Sequence, residues 1–166
     1  MYRSIDDFLK DWKNEEAFTL KIFEMITEQA KSSKVFGTVR SLERLAWHLT
    51  QTITEMGHRA GLLAEDMLEQ QSLPDTMQEI ADQYKTSAEL LCKSVKLKWT
   101  DSALGDKVPM YGEDWPKGQV LRVLIAHQSH HRGQMTVIMR ILGLPVPGIY
   151  GPSREEWIEM GLEAQD

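Results

Sequence analysis

Cysteine is almost missing from this chain of 166 residues, which carries only Cys92. One thiol excludes an internal disulfide framework and fits a reducing compartment, so a cytoplasmic location is expected. Long apolar runs are missing as well. No stretch approaches the ~20 residues that a membrane-crossing helix needs, and the opening Met1-Tyr-Arg-Ser-Ile-Asp-Asp does not read as a secretory leader. Positive charge is in deficit, with 19 Lys and Arg against 25 Asp and Glu and a net charge of −6. Gripping a phosphate backbone from that balance would need a concentrated basic stripe, and none is present, so no nucleic-acid partner is expected. Repeats and low-complexity segments are absent. The length suits one domain over residues 1–166 with a core of its own.

What is there is helical periodicity. Ser4 and Asp7 resemble a cap, and Ile5, Phe8, Leu9, Trp12, Phe18, Leu20, Ile22, Phe23 and Ile26 form a broad apolar face. This first helix is expected to end near Glu28–Ala30, before a loop from Lys31 to Gly37. Thr38 or Ser41 would cap a second helix. Gly57 and Gly61 weaken its far end, so a break is expected there, followed by an irregular or short helical crossover to Pro74. Met77, Ile80, Tyr84, Ala88, Leu91 and Val95 stripe a third helix from about Thr76 to Leu97. A long connection runs from Lys98 to Pro116, and connections of that length are often functional or act as lids. Asp114 or Trp115 before Pro116 suits the start of a fourth long helix, which Gly143 stops. Pro145 and Pro147 forbid continuation, and Ser153-x-x-Glu156 opens a short last helix through Trp157.

The chemistry concentrates in His127-Gln-Ser-His-His-Arg-Gly-Gln134 on that fourth helix. At about 100° per residue, His127 and His131 stand one turn apart on one face, with Val120, Leu124, Gln134, Ile138 and Ile141 on or near it. Two imidazoles facing a core need partners. A shared metal ion is one solution, and a hydrogen-bonded or solvated pair is the plainer one. The glutamate of a zincin helix is lacking, so a zincin is excluded. His48, between Leu45, Thr52, Ile53 and Met56 on the second helix, also faces inward and offers a third imidazole.

Trp47-His48-Leu49, His127-x-x-x-His131-Arg132-Gly133-Gln134 and Leu144-Pro-Val-Pro-Gly-Ile-Tyr150-Gly together resemble the DinB/YfiT-like family of small bacterial four-helix proteins. The resemblance spans nearly the whole chain. It implies an all-α four-helix bundle in up-down-down-up order, with helices two and three parallel; periodicity alone would have drawn a plain up-and-down bundle. It implies that His48, His127 and His131 hold one divalent metal, with nickel, zinc or iron as candidates. It also implies a homodimer, for which Trp12, Trp47 and Trp157 offer apolar area and His130 with Arg132 polar decoration. Some relatives transfer low-molecular-weight thiols, and many have no assigned activity.

Three imidazole ligands would leave an ion its full charge and an open position, suited either to activating water or to binding a thiol. No carboxylate base accompanies the histidines in the motif, so transfer of a low-molecular-weight thiol to an electrophile leads. A metal-dependent hydrolase and a non-catalytic metal-binding stress protein remain as alternatives. Glu55, two turns beyond His48 on the same stripe, is a candidate base or histidine partner, against the plain reading of a rim glutamate. Arg44, one turn before His48, is a candidate anion holder, against an ordinary helix salt bridge. Gln134 is a candidate partner for a ligand or a histidine nitrogen. His58 and His130 point off the shared face, Arg132 reads as structural, and Cys92 as an inert buried thiol. The 98–116 connection, with Trp99, Met110, Tyr111 and Trp115, either walls the metal pocket or plugs the end of the bundle.

Overall fold

The structure is a computed structural model and describes residues 1–164. Four long helices, α1 (Ile5–Glu24), α2 (Leu42–Arg59), α3 (Met77–Lys98) and α4 (Lys117–Ile141), form the bundle, and a short α5 (Arg154–Glu159) closes the described chain. Contacts between helix ends give their directions. Ile5 N donates to Asp101 Oδ1 just past α3, and Met77 N at the start of α3 donates to Glu28 Oε1 just past α1, so α1 and α3 are antiparallel. Tyr2 N donates to Gly118 O, which sets α1 and α4 starting side by side. Glu43 N donates to Lys31 O, so α2 starts where α1 ends, and α2 and α3 run together. The order is up-down-down-up.

Local chemistry explains the boundaries. Thr76 and Glu79 form a reciprocal capping box at the head of α3, as do Ser153 and Glu156 at α5. The α3 stripe expected from periodicity is buried from Met77 to Val95, and each such side chain contributes about 1.5–3 kcal/mol of burial. The second helix does break at the glycines: α2 ends at Arg59 and Gly61 takes φ 74°. The crossover that follows has no helix, yet it tucks Leu62, Leu63 and Leu68 into the core. Asp66 holds it by accepting from Thr54 Oγ1 and Leu68 N.

Two expectations need correction. Helix α1 stops at Glu24, short of Glu28–Ala30, because the Glu28 carboxylate turns away to cap the first turn of α3. The 98–116 connection is also more ordered than a loop. It holds a 3₁₀ turn (Asp101–Gly105) and a β-hairpin pairing β1 (Lys107–Met110) with β2 (Glu113–Pro116). Tyr111 and Gly112, at φ 52° and 86°, make the two-residue turn whose twist suits a hairpin. Asp114 and Trp115 therefore lie in a strand, and α4 begins at Lys117 with Pro116 as its cap. Pro109 and Pro116 are tolerated because a two-stranded ribbon has only edges.

Candidate metal centre

Helix α2 supplies one imidazole and α4 two. One ligand nitrogen from each of His48, His127 and His131 lies within 4.8 Å of the other two. His127 Nε2 and His131 Nε2 stand 3.1 Å apart. Two donors ~2.0–2.1 Å from one tetrahedral ion are separated by about 3.3 Å, so this pair already has the spacing of co-ligands. Ring centroids lie 4.4 to 5.0 Å apart across the trio. The donor set fits a divalent ion of borderline softness.

The protonation states fit as well. Burial pushes His48 and His127 down to about 4, and His131 is lowered for the same first reason. Charge on the neighbouring rings and on Arg40 lowers them further. All three are therefore neutral at pH 7, with lone pairs free for a Lewis acid. His131 Nδ1 lies 2.8 Å from Gln134 Oε1, which can only accept, so Nδ1 carries the proton and Nε2 the lone pair. Gln134 Nε2 is in turn 3.1 Å from His130 Nε2. Gln134 thus partners a histidine nitrogen, and the exposed His130 stands outside the cluster and steadies it. His127 Nδ1 is buried without a hydrogen-bond partner among the described residues.

The cluster separates two open cavities of opposite character. One, of about 520 Å³, lies between the 35–40 segment and α4; it is mostly apolar, with Thr38, Arg40, His131 and Gln134 as its polar members. The other, of about 900 Å³, reaches His48 and is lined by Glu55, Glu65, Asp66 and Glu69. Glu55 therefore faces the site's surroundings, but its carboxylate is ion-paired with Arg59 Nε at 3.0 Å and does not join the ligand cluster.

Arg44 is a correction: it is exposed and lines neither cavity. The arginine that lines the α4-side cavity is Arg40, in the irregular segment before α2, which periodicity does not orient. The 98–116 connection does not line the two cavities that reach the histidines. Trp99, Leu104 and Met110 are buried in the core at the end of the bundle, while Tyr111 is exposed and lies against Arg59. Trp12 and Trp47 are also core residues, so they supply no exposed area to an interface. Cys92 is half-buried and its thiol is pushed up to about 11, first by burial, which makes it a poor nucleophile. His58 is exposed, with Nδ1 3.3 Å from Leu63 O. Among the described residues, no helix is long and apolar enough to cross a membrane.

Residues 1–164 match the DinB family model. The chain is 38% identical over 164 residues to the uncharacterized protein YrdA of Bacillus subtilis, covering 99% of this chain and 98% of that protein. Its fold is similar to the crystal structure of a DinB-like protein from Bacillus cereus, with a TM-score of 0.80 and 34% identity, covering 90% of this chain and 100% of that one. A DinB-like protein from Bacillus subtilis, YjoA, shares the fold at a TM-score of 0.67 and 19% identity, over 84% of this chain and 96% of its own.

Proposed function

The chain belongs to the DinB family, and on that premise we propose a divalent-metal-dependent enzyme that transfers a low-molecular-weight thiol to an electrophilic substrate. The observation that carries this reading is the set of three neutral, converging imidazoles with an arginine, and no carboxylate, on the apolar side. His48, His127 and His131 would hold the ion, with nickel, zinc or iron all suited to imidazole nitrogen. A bound divalent ion supplies Lewis acidity, lowering the pKa of a thiol brought to its open position. The chain's own residues do the rest. Gln134 keeps the His131 proton on Nδ1, and Arg40 holds positive charge where an anionic reactant would enter. The sulfur forms a bond to carbon as the leaving group departs with its electron pair, and the thiol proton passes to solvent. The nucleophile comes from a cosubstrate, because Cys92 is poorly ionised and lies outside both cavities. Such thiols are kept reduced in the cytoplasm, which is the location this reading assigns.

Glu55 favours one second reading, a hydrolase in which its carboxylate accepts the proton of an attacking water. Its ion pair with Arg59 weighs against that role. A non-catalytic metal-binding stress protein fits less well with two open cavities meeting at the cluster.

The test is metal analysis of protein purified without added metal, followed by thiol conjugation to a halodinitrobenzene. One metal per chain and conjugation lost in His127→Ala support the reading. Conjugation that proceeds unchanged after the metal is stripped overturns it.

A further inference from the structure

We infer that the cavity between the 35–40 segment and α4 is the electrophile's binding pocket, shaped for an apolar molecule that ends in a carboxylate. This rests on the thiol-transfer reading and adds the substrate class. Val35, Leu45, Val137, Ile138 and Ile141 make an apolar wall around a space of about 520 Å³, within the usual size of small-ligand pockets. His131 lines the same space, so a molecule bound there touches the metal-holding cluster.

Arg40 sets the charge preference. It lines the pocket and is exposed, and it makes no ion pair or side-chain hydrogen bond with any described residue. No acidic side chain lines this cavity. A guanidinium left free beside an apolar wall is suited to grip a carboxylate through paired N–H donors. The cavity on the other side of the cluster has the opposite character, with Glu55, Glu65, Asp66 and Glu69 facing it and Arg59 neutralising only Glu55. An anion is therefore drawn to the α4 side and repelled from the His48 side. Two reactants meeting at the histidines would be sorted by charge and polarity before they react.

The apolar rim also includes exposed side chains, Val137 at 60% and Ile141 at 64%. A second copy of the chain lying over this face would close the pocket, and the experiment separates that outcome. Octanoate and its uncharged analogue octanamide are titrated into the metal-analysed protein by calorimetry, for wild type, Arg40→Gln and the cavity-filling Val35→Trp. Melting curves check that each variant is folded. The pocket predicts that octanoate binds at least ten-fold tighter than octanamide. Arg40→Gln then brings octanoate down to the octanamide level, and Val35→Trp weakens both. Equal octanoate binding in wild type and Arg40→Gln overturns the assignment. So does octanoate binding that disappears as protein concentration rises into a dimer. Thiol conjugation is measured on the same samples. Tight octanoate binding without conjugation defeats the transfer reading and leaves the pocket standing. Conjugation of a carboxylated electrophile with an unchanged KM in Arg40→Gln defeats the pocket and leaves the transfer standing.

Discussion

Arg132 on α4 is buried against Glu15 on α1, in a charge pair sealed from solvent one residue beyond His131. Arg132 also donates to the Thr19 hydroxyl at 2.9 Å and to Glu15 O at 3.1 Å. Tyr150 in the Pro-Gly tail completes the clasp, accepting from Arg132 at 2.6 Å and donating to Glu15 Oε2 at 2.9 Å. Removing one partner strands a buried charge, which costs about 3–5 kcal/mol. Glu15→Ala and Arg132→Ala should each lose that much in urea denaturation. Tyr150→Phe should lose about 1 kcal/mol, the net worth of one hydrogen bond. A loss below about 1 kcal/mol for Arg132→Ala would show that the clasp does not hold α1 and α4 together.

Alanine at His48, His127 or His131 should each empty the site when metal content is measured by elemental analysis. His130→Ala should leave it filled, since His130 touches the cluster only from outside, edge-on to the His131 ring at 4.8 Å and through Gln134, and is not one of the converging ligands. Gln134→Ala frees the His131 tautomer and should weaken metal affinity about 10–100-fold, the usual cost of losing a ligand's hydrogen-bond partner. Metal retained by the His127 and His131 variants together would remove the site.

Acid should act on these histidines in two ways. Their folded pKa values are depressed, with His48 and His127 near 4, while an unfolded chain binds those protons near 6.5. Below pH 6.5 the unfolded state therefore takes up more protons. The stability these rings contribute is complete above 6.5 and lost as pH falls towards 4. Melting temperature of metal-free protein should decline across that window, and less steeply in His48→Ala. Protons compete poorly for such rings, so metal retention should persist below the range where free imidazole protonates. Release centred at pH 6.5 would mean the rings are not desolvated.

The connection before α4 should behave as a plug rather than a wall. Trp99→Ala removes a core side chain and should cost about 3–5 kcal/mol. Tyr111→Ala removes an exposed ring from Arg59 and should cost under about 1 kcal/mol. Neither should change the KM for an electrophile by more than two-fold. A selective rise in KM for Tyr111→Ala with an unchanged melting temperature would return the hairpin to the pocket.

Homodimerisation is proposed through α5 and the tail, where Ile158, Met160 and Leu162 are exposed at 58%, 60% and 50%. Sedimentation at micromolar concentration should give a dimer, and Ile158→Glu a monomer. A monomeric wild type at that concentration would end the proposal.

Much of this protein is determined by the order of its residues. The α3 stripe and the Thr76 and Ser153 caps follow from local periodicity and local hydrogen bonds, which a sequence displays directly. His127 and His131 share a face because four residues is about one helical turn. Other features were settled only when the helices packed. The meeting of His48 with the α4 pair depends on how far α2 slides along α4, a register no single helix encodes. The Tyr111-Gly112 hairpin was hidden because its short strands carry two prolines and leave little periodicity. The early end of α1 depends on Glu28 finding Met77 across 49 positions of sequence. Arg40 rather than Arg44 lines the cavity beside His131 because it sits in the irregular segment before α2, where side-chain direction comes from tertiary contacts and not from a repeat. The α4-side cavity arises the same way, since it joins the 35–45 stretch to 131–141, whose proximity is a property of the packed bundle, whereas the acidic cavity is built from α2 and the crossover that follows it.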